Sequence, residues 1–308
     1  MRAILPFVIC LAAAPPSAAE THTAPEVLSG APGIHFVHQG ESLLDIARAH
    51  GLGILELMAA NPGIDPWIPK VGMPLVLPTS ALLPDAPRSG IVINLAELRL
   101  YLFDEAGGLI HRWPIGIGRL AFTTPLGKTR VVRKKVDPTW YPTEQTRIDR
   151  PALPSAVPPG PDNPMGRYAL YLGWPEYAIH GTNQPWGVGR RVSRGCIRLY
   201  PENIEPLFTK VPIGTSVTVV DQPAKFGWHD GELYLEVHPS RAQLDSLEET
   251  GRFAPEPLPG LDAQVLAAAG SEAARIDWSI VRQSERQRRG MPVRITHGSK
   301  RVQERDLR

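Results

Sequence analysis

Residues 180–198 read HGTNQPWGVGRRVSRGCIR, and this stretch sets the interpretation of the rest of the chain. It begins at His180, which ends a short apolar run, and Cys196 follows sixteen positions later. The glycines between them allow the backbone to turn sharply, so that the two side chains can meet. A thiol and an imidazole are the minimum parts of a cysteine nucleophile with its base.

The chemistry of such a pair makes specific demands on its neighbours. A thiol attacks a carbonyl only as the thiolate, and a free cysteine has a pKa near ~8.5. We therefore expect His180 to take the proton of Cys196, giving a thiolate–imidazolium pair. Backbone N–H groups in the turn Arg194-Gly195-Cys196 are candidate donors to the oxyanion. A backbone carbonyl near Gly181 is the expected partner of the other imidazole nitrogen, because the motif contains no acidic residue.

The other polar residues of the stretch have both a functional and an ordinary interpretation. Arg198 and Arg191 could pair with substrate carboxylates, because arginine binds a carboxylate through two N–H groups. Ser193 could hydrogen-bond within the turn or to a substrate. Taken singly, a lone cysteine, histidine or arginine is more often structural or solvated. The spacing, the glycines and an export signal together favour a catalytic site.

Composition and the N-terminal sequence indicate an exported protein of about two domains. The chain has 308 residues, of which 43% are hydrophobic, and its formal net charge of +2 gives no general attraction to nucleic acid. Residues 1–19 combine Arg2, an apolar run and terminal small residues, as a secretory signal peptide does. No later stretch reaches the roughly 18 apolar residues of a membrane helix. Removal of Cys10 with the signal leaves Cys196 as the single thiol, so we expect a periplasmic protein without an internal disulfide.

Residues 35–79 have the pattern of a small separate module. A strand at 35–37 is followed by a helix that begins after Ser42, a second helix near 54–58 and a closing strand at 72–78. This βααβ order resembles the LysM fold, although a long insert at 65–70 departs from it. The matching residues are Val37, Gly40, Ser42, Leu43, Ile46, Ala47, Asn61, Pro62, Gly72, Leu75 and Pro78. The resemblance implies binding to N-acetylglucosamine polymers such as peptidoglycan; the alternative is a purely structural subdomain.

Residues 90–221 are expected to form a mainly β domain. Strand patterns occur at 91–95, 98–103, 109–116, 128–136, 167–172 and 215–220, and a helix pattern occurs at 201–210. Residues 137–166 contain eight prolines and little periodicity. A loop of this length is usually functional or disordered. It is interpreted as a wall or lid of a substrate cleft, with a surface excursion as an equal alternative.

Residues 222–308 are expected to be a C-terminal extension. A strand pattern at 232–237 and helix patterns at 241–249 and 261–269 precede a basic end. From residue 282 onward, nine lysines and arginines face three acidic residues, a charge of +6. Such a segment could contact anionic surfaces, but a solvated, mobile tail is the favoured interpretation.

The motif residues resemble the L,D-transpeptidase (YkuD-type) catalytic domain of bacterial envelopes. The resemblance is carried by the segments His180–Thr182 and Ser193–Arg198, and it extends to Ile91–Phe103, Thr124–Gly127 and Gly160–Gly166. It implies a β-rich fold with Cys196 as nucleophile and His180 as base. The implied oxyanion or substrate-binding positions are Gly181, Thr182, Ser193, Arg194, Gly195 and Arg198. Many family members have histidine where this chain has Arg194, and an arginine there could favour the thiolate or meet substrate carboxylates.

That resemblance also implies the reaction. The cysteine attacks the bond between the third residue, a diamino acid, and the fourth, D-alanine, of a peptidoglycan stem tetrapeptide. D-alanine leaves, and an amine resolves the acyl-enzyme. The acceptor stays open between another stem, giving a 3–3 cross-link, and an outer-membrane lipoprotein. An L,D-carboxypeptidase that uses water at the same site and a non-catalytic wall-binding protein are further alternatives.

No cofactor, metal or nucleic-acid partner is expected. The histidines show no evident ligand spacing; they lie at positions 22, 35, 38, 50, 111, 180, 229, 238 and 297. His35 and His38 are close in sequence, but three positions apart on a strand they would point to opposite faces.

Overall fold

A computed structural model describes residues 27–297 of the chain. The expected signal peptide, with Cys10, and residues 298–308 of the basic end lie outside this range. Within residues 27–297, no helix combines the length and the apolar character that crossing a bilayer requires.

The N-terminal part contains two short helices and a two-stranded sheet. Its elements are β1 (Leu28–Ser29), β2 (Gly33–Phe36), α1 (Leu43–Ala49), α2 (Ile54–Ala60), β3 (Pro74–Leu77) and β4 (Ala81–Leu82). β2 pairs antiparallel with β3. The expected cap of α1 is present, because the Ser42 hydroxyl accepts from the Asp45 N–H and the Asp45 carboxylate accepts from the Ser42 N–H.

The middle part is built on one large sheet. Its elements are β5 (Gly90–Asn94), β6 (Arg99–Phe103), β7 (Leu109–Pro114), β8 (Ile117–Gly118), β9 (Gly127–Val136), α3 (Glu144–Asp149), β10 (Tyr168–Leu172), β11 (Ala178–His180), a 3₁₀ turn (Pro185–Gly187), β12 (Arg191–Ser193), β13 (Ile197–Arg198), α4 (Pro201–Lys210) and β14 (Ser216–Val220). The strand order is β13-β11-β10-β9-β14-β5-β6-β7. β11 and β13 pair in parallel at one end of this sheet, and the candidate site lies there.

The C-terminal part folds around a small core of its own. Its elements are β15 (Ala224–His229), β16 (Glu232–Val237), α5 (Arg241–Thr250), α6 (Leu261–Ala269), a 3₁₀ segment (Gly270–Arg275), α7 (Trp278–Gln287) and β17 (Val293–Arg294). β15, β16 and β17 form a three-stranded sheet. Leu235, Val265, Val281 and Ile295 are completely buried in this core.

The expectation of a mobile basic tail is therefore wrong for residues 282–297. α7 buries Val281 against the C-terminal core. The Arg288 side chain is also buried, and its guanidinium donates to the carbonyl of Glu256 at 2.8 Å. The number of charges in a segment does not show whether each arginine is exposed. The Arg288 guanidinium is buried and donates to backbone carbonyl groups within the fold.

The N-terminal and middle parts share one continuous apolar core. Polar contacts reinforce it, since the Arg48 guanidinium pairs with the Glu202 carboxylate at 2.8 Å through two N–H groups. The backbones also approach closely, because a Cβ built on Gly53 would lie 2.9 Å from the Cα of Gly189. The N-terminal module is thus seated directly beside the loop that connects His180 to Cys196.

Candidate active site

The register of β11 and β13 places Cys196 and His180 on one face of the sheet edge. Ile179 pairs with Ile197, and both are completely buried in the main core. Because side chains alternate along a strand, their neighbours face the opposite side. Cys196 packs there against Ala178, and His180 follows Ala178 by two positions on the same face. Chain segments sixteen residues apart are thus brought together by two residues of parallel pairing.

His180 is buried and held by backbone acceptors. Its Nδ1 lies 2.6 Å from the carbonyl oxygen of Gly181, the hydrogen bond anticipated from the sequence. Burial and the nearby charge of Arg198 lower the pKa of His180 to about 4, although hydrogen bonds with the backbone of Gly181 and Met165 act in the opposite direction. The imidazole is therefore neutral at physiological pH, with Nδ1–H donating to Gly181 and Nε2 left as the basic atom.

The thiol of Cys196 also rests in its neutral form. It is partly exposed, and its Sγ donates to the carbonyl of Glu176 at 3.5 Å. Burial raises the pKa of the Cys196 thiol, while a hydrogen bond with the Ala178 backbone and the charge of Arg198 lower it by less. Burial disfavours the charged form of both groups before substrate binds, so the transfer of the Cys196 proton to His180 stays a prediction for the attacking state.

The turn before Cys196 is built around Ser193 and Gly195. The Ser193 hydroxyl donates to the carbonyl of Cys196 at 2.6 Å and accepts from the Gly195 N–H at 3.1 Å. Gly195 has a φ of +105°, and a Cβ there would lie 2.7 Å from the Tyr177 ring. Its carbonyl accepts from the Thr124 hydroxyl at 2.8 Å. Ser193 therefore positions the turn, and only glycine fits at position 195.

Arg198 is the cation nearest to both reactive groups. It follows Cys196 by two positions on the same face, and its charge affects the pKa of Cys196 and of His180. Among residues 27–297 no carboxylate forms an ion pair with it, and its buried Nε has no hydrogen-bond acceptor there. A half-buried guanidinium without an acidic partner, next to a nucleophile, is suited to receive a carboxylate from a ligand.

The other three arginines of residues 180–198 all form ion pairs within the protein, and Arg190 pairs with Glu248 at 3.6 Å. Arg191 is buried, and its guanidinium donates to the Arg241 carbonyl and to the Asp245 carboxylate, both at 3.0 Å. It joins the site to α5, so the expected contact with substrate is wrong. Arg194 pairs with the Asp149 carboxylate of α3, and its guanidinium stacks 4.5 Å from the centre of the Phe122 ring. These contacts join Arg194 to α3 and to Phe122, while its buried Nη1 has no acceptor among residues 27–297.

The proline-rich segment 137–166 is ordered around a buried asparagine. The Asn163 amide donates to the carbonyls of Pro138, Val157 and Pro158 at 2.7–3.1 Å, and its oxygen accepts from the Met165 N–H. Trp140, in the same segment, packs on the cluster that contains Cys196. The segment is therefore a wall of the site, as expected, and not a surface excursion.

A cavity of about 690 Å³ opens beside the His180 strand end. The residues that line it are Asp137, Gly160, Pro161, Asn163, Gly166, Arg167, Tyr168, Gly181, Thr182, Asn183, Pro201, Glu202, Ile204 and Glu205. Gly181 and Thr182 thus contribute to the cavity, whereas Cys196 and Arg198 do not. Of its three carboxylates, Asp137 pairs with Arg167 and Glu202 pairs with Arg48, so Glu205 alone has no ion pair among residues 27–297.

Comparison with known sequences shows the family to which the chain belongs. The YkuD L,D-transpeptidase catalytic domain matches residues 88–219, and the LysM domain matches residues 35–78. The Escherichia coli K12 protein named "Probable L,D-transpeptidase ErfK/SrfK" is 41% identical over 272 residues, which cover 86% of this chain and 86% of that protein. The chain belongs to the L,D-transpeptidase family. "Probable L,D-transpeptidase YcfS" of the same organism is 39% identical over 303 residues, covering 94% of this chain and 92% of that protein.

A solved structure also matches part of the chain. The NMR structure of the catalytic domain of the Enterococcus faecium L,D-transpeptidase is 24% identical, with a TM-score of 0.36. The match covers 44% of this chain and 99% of that chain.

Several residues of this L,D-transpeptidase site carry no local sequence signal. Thr124 supports the catalytic turn from 71 positions away in sequence, and Met165 supplies a backbone partner to His180. Asp149 lies in a proline-rich segment with no periodicity, and only the fold brings it to Arg194. The threonine and the methionine lie next to or within segments that carried the family resemblance, which is the one signal that could have found them.

Replacing Asp149 by asparagine is expected to loosen the wall segment of this L,D-transpeptidase. The change removes the charge that holds α3 to Arg194, and the Arg194 hydrogen bond is the main reason that the pKa of Asp149 is lowered. Because the pair is partly exposed, we expect a modest effect: Cys196 should react about two- to five-fold faster with a bulky maleimide. Asp162→Asn removes an acidic group from the same segment without touching Arg194 and serves as the control. Equal rates in both variants would show that the ion pair does not restrain the segment.

Proposed function

We propose that this chain is an L,D-transpeptidase in which Cys196 is the nucleophile and His180 the base. The observation that carries the proposal is the convergence of Cys196, His180 and Arg198 on one face of the β11–β13 edge. The thiol remains partly exposed, so a stem peptide can reach it. Family membership supplies the substrate class: a peptidoglycan stem tetrapeptide that ends in D-alanine.

In the proposed reaction, one proton moves from the thiol to His180 and then to the leaving amine. His180 Nε2 takes the thiol proton as Sγ forms a bond with the carbonyl carbon of the diamino acid. The tetrahedral intermediate collapses, the C–N bond breaks, and the imidazolium gives its proton to the amine of D-alanine. An acceptor amine then attacks the thioester, returns a proton through His180, and regenerates the thiol. The neutral resting pair suits this order, because the charges form only after substrate has displaced water.

Backbone N–H groups of the turn are the proposed oxyanion donors. In the resting state the Gly195 N–H is bound to the Ser193 hydroxyl, so the Cys196 N–H is the first candidate. The left-handed backbone at Gly195 and the Thr124 hydrogen bond fix the direction of these groups. Gly195, Ser193 and Thr124 would thus act by positioning the turn.

Arg198 is proposed to bind a carboxylate of the stem peptide. Replacing it by glutamine is expected to raise KM by about 10- to 100-fold, because a charge-assisted hydrogen bond is lost. The decrease in kcat should be smaller. The same change should move the pH profile of Cys196 alkylation to higher pH, since the Arg198 charge lowers the pKa of that thiol. The measurement is iodoacetamide reactivity between pH 7 and 11, beside muropeptide kinetics. An unchanged profile and an unchanged KM would refute the assignment.

The cavity next to Gly181 and Thr182 is the proposed entry for the acceptor amine. A diamino-acid or lysine side chain arrives as a cation, and Glu205 is the lining carboxylate that has no ion pair among residues 27–297. The ammonium group gives up one proton before its nitrogen attacks the thioester. The alternative acceptor is water, which would make the chain an L,D-carboxypeptidase. Incubation with purified tetrapeptide muropeptides distinguishes the two, since cross-linked dimers require transfer and tripeptides alone indicate hydrolysis.

The remaining parts of the chain are proposed to deliver this site to the wall. Residues 35–79 form the LysM-like βααβ module that binds peptidoglycan, and residues 90–221 are the catalytic domain. Residues 222–308 form an extension that braces it, and residues 1–19 are the signal that exports the chain to the periplasm. An outer-membrane lipoprotein stays open as acceptor. If the chain were only a wall-binding protein, Cys196→Ala would leave every function intact.

A further inference from the structure

Three side chains of the N-terminal module form a compact cluster on its surface. His35 Nε2 lies 2.8 Å from Glu41 Oε2, and His38 Nδ1 lies 3.3 Å from the same oxygen. One ligand-type atom of each residue lies within 4.8 Å of the others. The cluster is far in sequence from the catalytic motif, and the proposed transpeptidase chemistry does not use it.

The backbone turn after β2 explains why these residues meet. β2 ends at Phe36, Val37 is buried, and Gly40 then adopts a φ of +85°. The alternation expected of a continuous strand therefore stops before His38. The His38 N–H donates to the Glu41 carboxylate at 2.8 Å, and this hydrogen bond holds the carboxylate beside the imidazole rings of His35 and His38. The expectation that His35 and His38 point to opposite faces is wrong for this reason.

A third histidine orients the cluster from behind. His50 Nε2 lies 3.2 Å from His35 Nδ1, the nitrogen opposite the one that faces Glu41. A histidine that ligates a metal almost always has a hydrogen-bond partner at its other nitrogen, which fixes the tautomer and the ring direction. His35 already has that partner.

We propose that His35, His38 and Glu41 bind one zinc ion on the surface of the LysM-like module. Two imidazoles and one carboxylate are a common donor set for Zn²⁺, with the fourth tetrahedral position left to water or to an oxygen of another molecule. The His38 side chain is 74% exposed, so an ion can enter and exchange without opening the fold. Binding would tie the end of β2 to the segment that caps α1.

A second cluster of possible metal ligands among residues 27–297 is already neutralised by a lysine of the protein. Glu97, Glu236 and His238 also bring their ligand atoms within 4.8 Å, but they are buried. The Lys225 ammonium lies 2.6 Å from Glu97 and 2.9 Å from Glu236, so it supplies the positive charge itself. No internal cation takes that place between His35, His38 and Glu41 in the part of the chain that is described.

Zinc titration of the untagged mature chain tests the proposal. Cys196→Ala is the background for every protein, so that the thiol cannot bind the metal and the result does not depend on catalysis. Isothermal titration calorimetry with ZnCl₂ should then show one ion per chain. His38→Ala and Glu41→Gln should each weaken binding at least about ten-fold. These side chains are exposed or partly exposed, and circular dichroism checks that the variants are folded.

His229→Ala is the matched control, because His229 is partly exposed and lies near an acidic residue in the C-terminal part. Its zinc affinity should equal that of the background protein. Absence of zinc binding in the background, or unchanged affinity in His38→Ala and Glu41→Gln, would overturn the proposal. Neither result would affect the assignment of Cys196 and His180.

Discussion

Cys196→Ala is expected to reduce the formation of cross-linked muropeptides by at least about 10⁴-fold, because no other nucleophile can form the acyl-enzyme. Cys196 is only partly buried and packs at the rim of a small cluster, so the variant should fold with a stability within about 1 kcal/mol of the parent. Intact-mass analysis after addition of a carbapenem reads the first step alone. The parent should gain one covalent adduct, and the variant should gain none.

His180→Asn separates the base from the nucleophile. The thiol remains, but nothing takes its proton, so acylation should slow by about 10²- to 10⁴-fold. In the parent, activity should rise with pH as His180 loses its proton near pH 4, and it should not fall again through pH 6.5. The sign follows from the role of His180, since only the neutral ring can accept the proton and burial keeps the ring neutral above that pH.

His111→Asn is the control for a histidine outside the site, because His111 lies on β7 and stacks on Trp113. It should leave the rate unchanged. Full activity in His180→Asn, or a carbapenem adduct in Cys196→Ala, would show that another pair of groups carries the reaction. Either result would remove the basis of the proposed mechanism.

The reactive pair could be predicted because its signal is local in the sequence. One cysteine, one histidine and intervening glycines lie within nineteen residues. The two short strands that hold them, β11 and β13, were not predicted, because each has only two or three residues. The protonation state could not be predicted in the same way. It depends on burial beneath a segment that contributes Met165, and on the charge of Arg198. The sequence does not show that these groups converge.

The regular elements were predicted where apolar residues repeat, and missed where they do not. β15 is an exception, because Ala224, Phe226 and Trp228 alternate with Lys225, Gly227 and His229 as strand residues do, and this strand was still missed. α7 is rich in polar side chains, and α3 has only six residues inside a proline-rich segment. Each of these elements is fixed by contacts with distant parts of the chain: Lys225 with Glu97, Trp278 with the C-terminal core, and Asp149 with Arg194.

Lys225→Met is expected to cause the largest loss of stability, about 3–5 kcal/mol, because it leaves buried carboxylates without a counter-charge. The ammonium of Lys225 donates to the Leu82 carbonyl and pairs with Glu97 and Glu236, all within 2.9 Å. Lys225 and both carboxylates are almost completely buried. These contacts join the turn between β5 and β6, the short β4 strand and the C-terminal sheet, so their loss should weaken the packing of the C-terminal extension on the middle part. Chemical denaturation, followed by fluorescence and circular dichroism, measures the midpoint.

The pH dependence identifies the cause of that loss. In the parent, burial favours the neutral form of Glu236, but Lys225 and the hydrogen bonds of His238 and Leu82 outweigh it and lower the pKa of Glu236. Its contribution is present above the unfolded value of 4.5 and is lost as the pH falls through the lowered pKa. Without Lys225, burial acts with less opposition and raises the pKa of Glu236, so the variant loses stability as the pH rises. The stability gap between parent and variant should therefore be widest at neutral pH and narrow toward pH 4.

A double variant and a surface control complete the test of this network. Lys225→Met with Glu236→Gln should recover part of the lost stability, because an amide can keep neutral hydrogen bonds to Leu82 and His238 without a buried charge. Arg282→Met breaks an ion pair with Asp262 on the surface and should hardly move the midpoint. If Lys225→Met behaved like Arg282→Met, with the same stability at pH 4 and pH 7, the buried charges would not hold the extension in place. The C-terminal part would then depend on its apolar contacts alone.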